Sequence, residues 1–318
     1  MSRHSRRRFD DDDNDPTSFD RLLADAQSPL NNGPDDSGDS GDSGDSSDSS
    51  DSSDTSAFND GVAEPAWSTY PDARHGPEPV PNWVITSPGA IDDDLGVLKT
   101  GKEAEVSLLR RSEGVREILL AVKRYRSAEH RLFHRDSGYL EGRRVRRSRE
   151  MRAMQTRTTF GRDLIAGQWA AAEFAVLSRL WSAGAAVPYP VQLIGTELMM
   201  EFIGNADGVA APRLAQLRPT PAEARDLYAQ LYEVLTVLAD AGYAHGDLSP
   251  YNVLVHEGRL VLIDLPQAVD IVGNPQGFEF LRRDCANICD WFEARGIVAD
   301  PYDLYDHLVR AAPGTTAG

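Results

Sequence analysis

The octapeptide His245-Gly246-Asp247-Leu248-Ser249-Pro250-Tyr251-Asn252 sets a carboxylate and a carboxamide in one short loop, and an apolar run downstream of it ends in Asp264. Val253–Val255 and Leu260–Ile263 read as two strands of a hairpin that turns at Glu257-Gly258-Arg259. A hairpin places Asn252, before its first strand, beside Asp264, after its second. Three oxygen-bearing side chains then converge at one end, a set suited to a hard cation such as magnesium. A second pair is Lys123, which closes the apolar run Leu119-Leu120-Ala121-Val122, and Glu173, which interrupts the apolar stripe Trp169, Val176, Leu177 and Leu180. A carboxylate on such a stripe is costly unless paired, so each residue offers what the other lacks.

Upstream of Lys123, the stretch Lys99-Thr100-Gly101-Lys102-Glu103-Ala104 reads as a loop between two strands. Its backbone N–H groups and the Thr100 hydroxyl could cover phosphate oxygens. One glycine is neither a Walker loop nor a G-x-G-x-x-G loop, so this segment gains weight only with the residues downstream.

These residues need elements to hold them. Leu95–Leu109 and Glu117–Tyr125 read as strands joined through Glu113-Gly114, and Leu193–Phe202 as a strand pair around Gly195. A helix is predicted over 167–183, stopped by Gly184. Another is predicted from Pro221 to about Ala241, with Thr220 as N-cap and Glu223 completing a capping box. A last helical region covers about 278–308. Strands come first and helices later, which gives an α+β fold with two lobes, a β-rich N-lobe and a helical C-lobe.

The chain has 318 residues and a formal net charge of −17, but the charge is uneven. Residues 1–80 hold 19 acidic against 6 basic residues. An Asp recurs every third position from Asp36 to Asp54 with only Ser, Gly and Thr nearby, a run that cannot offset its ordering entropy. Residues 1–81 are therefore expected to be a disordered acidic tail, 82–310 the folded domain and 311–318 a disordered end. Within the domain, 126–162 is expected to be a basic, mobile insertion. From Lys123 to Arg162 there are 13 basic against 4 acidic residues, a surface able to contact RNA or to dock the acidic tail. Cys285 and Cys289 fall on one helix face and are expected to pack in the core. No apolar run is long enough to span a membrane and no secretory signal is read, so a cytoplasmic location is expected.

In protein kinases one loop Asp orients the acceptor, while an Asn and a second Asp hold metal. A strand Lys, positioned by a helix Glu, holds the α- and β-phosphates. Over roughly residues 83–300 this chain resembles the RIO family of atypical serine protein kinases. The resemblance rests on Thr100-Gly101-Lys102-Glu103-Ala104, Ala121-Val122-Lys123, Trp169 to Glu173 and Met200-Glu201-Phe202-Ile203-Gly204. It continues through His245 to Asn252, Ile263-Asp264 and Asp284-Cys285-Ala286-Asn287. It implies a trimmed two-lobe kinase fold, ATP with magnesium, and a nucleotide hinge at Glu201–Ile203 with Met200 beside it. It further implies Asp247 and Asp264 as catalytic residues and Asn252 with Asp264 as metal ligands. Thr100, Gly101, Lys102, Lys123 and Glu173 would serve the nucleotide.

The family is associated with serine phosphorylation, with autophosphorylation, here of the Ser-rich tail, and with ATP hydrolysis through a phosphorylated metal-site Asp, which maps to Asp264. Eukaryotic relatives act in small-subunit ribosome maturation, so a ribosomal-subunit contact through the basic insertion is also implied. Leu265-Pro266 replaces the Phe-Gly that follows the metal Asp in ordinary kinases, and Ser249 stands where many place a phosphate-contacting Lys. Two other functions compete: a small-molecule phosphotransferase, whose loop is also His-Gly-Asp, and an ATP-gated assembly factor.

Overall fold

Three ten-residue strands, β3 (Ile91–Thr100), β4 (Ala104–Glu113) and β5 (Arg116–Tyr125), form the centre of an antiparallel sheet. The computed structural model describes residues 66–126 and 159–314, with side chains from Ile165 onward in the second span. Two short strands at the start, β1 (Ala66–Trp67) and β2 (Arg74–His75), and two later ones, β6 (Pro190–Ile194) and β7 (Glu197–Glu201), complete seven strands. Their order is β1-β3-β4-β5-β7-β6-β2.

Alternation along β5 sorts its residues to two faces. Leu120 and Val122 are fully buried with Leu109, Val191 and Met199 under Tyr70 and Val84, so the segment before β3 covers the back of the sheet. On the other face lie Lys123 and Tyr125, against helix α1 (Thr159–Ser182), which crosses β5, β6 and β7. The helix starts earlier than its apolar stripe predicts, because Gly161, Arg162 and Asp163 interrupt any apolar periodicity ahead of Gly167. The C-lobe is built from α2 (Pro221–Asp240), α3 (Gly277–Glu293) and α4 (Pro301–Ala311), with the strands β8 (Tyr243–Ala244), β9 (Val253–His256), β10 (Arg259–Leu262) and β11 (Val269–Asp270). Thr220 and Glu223 cap α2 reciprocally, at 3.3 Å and 2.7 Å. Leu227, Leu231, Val234, Leu235 and Leu238 form its buried stripe. The predicted final helical region is two helices, since Gly296 at φ 76° interrupts it. The fold is α+β, a β-rich lobe joined to a helical one.

The expected domain limits need correction. The fold already includes Ala66, ahead of the expected limit at 82, because β1 pairs with β3 and β2 with β6. Ahead of position 82, Tyr70 is buried and stacks on His75 at 4.1 Å. Strands of two residues each, set in a Pro- and Asp-containing stretch, carry no strand signal in the sequence. At the other end Ala311 closes α4 and Ala312 is buried, so the fold passes position 310. Arg126 donates its N–H to the Glu103 carbonyl at 2.9 Å, and α1 opens at Thr159. The remainder of the basic stretch, 127–158, and the tail to position 65 lie outside the described residues.

A chain truncated before Pro81 should melt at least about 5 °C below one truncated before Ala66, since losing a buried aromatic alone costs about 3–5 kcal/mol. Equal melting curves for the two truncations would show that 66–80 contributes nothing to the fold.

Candidate active site

The β9–β10 hairpin has a two-residue turn in which Glu257 (φ 50°) and Gly258 (φ 77°) both take positive φ, and His256 pairs with Arg259. Such a turn matches the right-handed twist of the strands and fixes their register. Leu262 therefore faces Val253, and Ile263 donates its N–H to the Asn252 carbonyl at 3.0 Å. The chain ends bearing Asn252 and Asp264 leave the hairpin side by side. Asp264 is a non-glycine residue at φ 65°, a left-handed conformation that Asp tolerates better than most.

The loop before the hairpin is clamped from behind. Asp284, on the buried face of α3 with Leu281, Cys285 and Ile288, accepts the Gly246 N–H at 2.8 Å and the Leu248 N–H at 2.9 Å. Gly246 sits at φ 85°, and a Cβ there would lie 2.3 Å from the Gln267 carbonyl oxygen, so only glycine fits. Asn287 Nδ2 donates to the Leu248 carbonyl at 3.3 Å. His245 is buried and donates Nε2–H to the Ile263 carbonyl at 3.0 Å, tying the loop to the strand that ends in Asp264. With both flanks fixed, Asp247 is exposed between the buried Gly246 and Leu248. Asn252 Nδ2 donates to the Asp247 carbonyl at 2.9 Å, which leaves its amide oxygen as the outward acceptor.

Lys123 joins the lobes. Its Nζ lies 2.9 Å from Glu173 Oε1 and 2.7 Å from Asp264 Oδ1. Burial opposes the ammonium, but the two carboxylates outweigh it and hold Lys123 above the usual lysine range. Burial likewise pushes the Asp264 carboxyl up, yet Lys123 and then Lys99 prevail and bring it down to about 2. Asp264 is ionised at neutral pH. Glu173 is further held by the Tyr125 hydroxyl and by the Leu265 N–H at 3.1 Å, so it is fully satisfied and stays put. One ammonium between two carboxylates leaves the centre with a residual negative charge, and Asp264 keeps 37% of its side chain exposed. Asp264 and Asn252, on chain ends that leave the hairpin side by side, supply oxygen donors of the kind that fits a magnesium ion keeping several other ligands. Among the described residues no group of three or more His, Cys, Asp or Glu gathers as a metal cage.

The remaining predicted residues sit at the rim. Gly101 closes the β3–β4 turn through its N–H to the Ala104 carbonyl at 2.9 Å, Thr100 Oγ1 lies 3.5 Å from Glu105, and Lys102 is exposed. At the hinge, Met200 packs on the main core. Glu201 accepts the Tyr189 N–H with its carboxylate at 3.1 Å, which ties its side chain to the residue before β6. Ile203 accepts the Ala211 N–H at 2.9 Å. A 510 Å³ cleft flanks this hinge, lined by Leu119, Glu201, Phe202 and Gly208 among others, and none of Lys123, Asp247, Asn252 or Asp264 lines it. Cys285 and Cys289 are buried, and burial pushes both thiols up.

Sequence reasoning gave Tyr125 no role and named Asp284 only as part of a motif. A carboxylate on the apolar face of α3 was the available signal for Asp284. Nothing local marked the Tyr125 hydroxyl, which needs the helix in place to find its partner.

A two-lobed fold with a Lys–Glu pair in the upper lobe and an Asp–Asn–Asp constellation below it defines a protein-kinase-like phosphotransferase. A family model described as the RIO domain matches residues 112–304. The RIO-type serine/threonine-protein kinase Rio1 of Haloferax volcanii is 37% identical over 225 residues, covering 70% of this chain and 71% of that protein. Human serine/threonine-protein kinase RIO1 is 33% identical over 215 residues, 64% of this chain but 34% of the human protein. This chain thus matches about a third of its human relative. A crystal structure titled as a Rio2 kinase-ADP/Mg2+-phosphoaspartate complex from Chaetomium thermophilum is similar at a TM-score of 0.49 and 22% identity, covering 70% of this chain and 62% of that one. The chain belongs to the RIO family of serine/threonine-protein kinases.

Proposed function

We propose that this chain transfers the γ-phosphoryl group of ATP, with magnesium, to a serine hydroxyl. The observation that carries the reading is Lys123, held between Glu173 and the exposed carboxylate of Asp264 at the end of the hairpin that also positions Asn252. Magnesium held by Asp264 and Asn252 would neutralise charge on the β- and γ-phosphates. Lys123, kept charged by its two partners, is placed to bind phosphate oxygens, and Glu173 fixes its direction. Asp247, exposed on a loop whose neighbours are pinned by Asp284, orients the acceptor hydroxyl and takes its proton. The Gly101 turn and the Glu201–Ile203 hinge bound the cleft above and behind.

A protein serine is the acceptor in this reading, the Ser-rich tail of the chain among the candidates. RNA or a ribosomal subunit is the partner of the basic segment, and the cytoplasm is the location. Sequence alone supports these three assignments. Among the described residues no helix is long and apolar enough to cross a membrane.

Incubating the full chain with γ-labelled ATP and magnesium should give acid-stable, hydroxylamine-resistant label. Label that hydroxylamine releases would instead assign the transfer to Asp264 itself and make the chain an ATPase, a second reading favoured by the 37% exposure of that side chain. Absence of both label and phosphate release would overturn the proposal.

Lys123→Ala should cut turnover at least about tenfold, equivalent to about 1.4 kcal/mol of barrier. Combined with Glu173→Gln, the losses should fall short of additive, because each single change already breaks the same 2.9 Å pair. Full additivity in that cycle would mean the two residues act independently.

A further inference from the structure

Strand register places one lysine that the proposed reaction does not use. Lys99 is paired with Val106 across β3 and β4, and Val106 with Lys123 across β4 and β5. Residues directly opposite in an antiparallel ladder share a face, so Lys99 projects from the same side of the sheet as Lys123, two strands away. It immediately precedes the Thr100-Gly101 turn and is partly buried.

Below it, in the other lobe, lies Arg213. A backbone bridge to Leu254 fixes it beside β9, and its Nη1 donates to the Tyr251 carbonyl at 3.0 Å, one residue before Asn252. One cation thus stands on each lobe, Lys99 on the sheet face that bears Lys123 and Arg213 beside the loop that ends in Asn252. Burial pulls the Lys99 ammonium down, Arg213 adds to that pull, and Asp264 opposes it. Burial also pulls Arg213 down, again with Asp264 opposing. Asp264 is the anion that already faces both, and a phosphate chain would bring further negative charge to the same cations. Ser249 brings no charge to the catalytic loop, so that loop itself carries no cation for a polyanionic ligand.

We propose that Lys99 and Arg213 form a two-lobe clamp on the phosphate chain of the nucleotide, drawn together by the anion and supplying the positive charge that Ser249 does not. The clamp rests on the assignment of ATP as ligand above. Like-charge repulsion remains between the two side chains even though the Lys123–Asp264 contact at 2.7 Å already joins the lobes. A di- or triphosphate placed between them replaces that repulsion with charge-assisted hydrogen bonds to both lobes.

The test is calorimetric titration of the full chain and of Lys99→Ala, Arg213→Ala and the double variant with adenosine, ADP and ATP in magnesium. Each single variant should bind ATP about tenfold more weakly, as expected for one lost charge-assisted contact. Adenosine affinity should stay within about twofold in every variant. Lys99→Arg and Arg213→Lys should recover most of the loss, and the double variant should lose less than the product of the singles, since both hold one anion. Wild-type ATP affinity in either single variant would overturn the clamp. So would an equal loss for adenosine and ATP, which would mark the residues as structural. A wild-type chain that binds neither ADP nor ATP would instead refute the ATP reading, which keeps the two failures apart.

Discussion

Asp247→Asn should lower phosphoryl transfer about a thousandfold, within the range for losing a positioned general base, while magnesium–ATP affinity stays within about twofold of wild type. The asymmetry follows from the structure. Asp247 is exposed, whereas its neighbours Gly246 and Leu248 are pinned by the Asp284 carboxylate at 2.8 Å and 2.9 Å. The Asn252 side chain is held by the Asp247 carbonyl, not by its carboxylate. Replacing the carboxylate by an isosteric amide therefore leaves both the loop and Asn252 in place. What is lost acts on the acceptor hydroxyl, and such a contact is felt in the transition state rather than in nucleotide binding. Single-turnover kinetics with γ-labelled ATP measure the first quantity. A variant within about fivefold of the wild-type rate would remove Asp247 from the reaction.

Asp264→Asn should behave differently, lowering magnesium-dependent ATP affinity about tenfold or more and turnover about a hundredfold. Its carboxylate, held at about 2 by Lys123 and Lys99 against burial, carries full charge at neutral pH. The amide removes that charge, weakens the 2.7 Å contact to Lys123, and leaves Lys123 with Glu173 alone. The residual negative charge that favours a divalent cation disappears with it. Titrating magnesium at fixed ATP checks this result. An unchanged magnesium dependence in the variant would place the metal elsewhere.

Much of the site was legible because its residues lie in short, strongly punctuated segments. The His245–Asn252 loop and a hairpin of apolar strands ending in Asp264 could be placed together from hairpin geometry alone, and the observed register does so. The Lys123–Glu173 contact followed from the cost of a carboxylate on an apolar stripe. Partners that depend on distant packing were not legible. Arg111 is fully buried against Asp92 and Gln192, at 2.7 Å and 2.9 Å. An arginine in a strand normally reads as solvated, so nothing in its surroundings announced a core ion pair. The early segment 66–80 was read as tail because its strands have two residues each and alternate with Pro and Asp. Lys99 and Arg213 are far apart in sequence, and only the sheet register and the Arg213–Leu254 bridge place one on each lobe of the site.

The division of labour between the two aspartates is the centre of the account, and one calorimetric experiment addresses it most directly. ATP is titrated, in magnesium and again in EDTA, into the wild-type chain, Asp247→Asn and Asp264→Asn. Magnesium-dependent binding of near-equal affinity is expected for wild type and Asp247→Asn, and a loss of that dependence for Asp264→Asn. Equal weakening in both variants, or wild-type binding indifferent to magnesium, would contradict it.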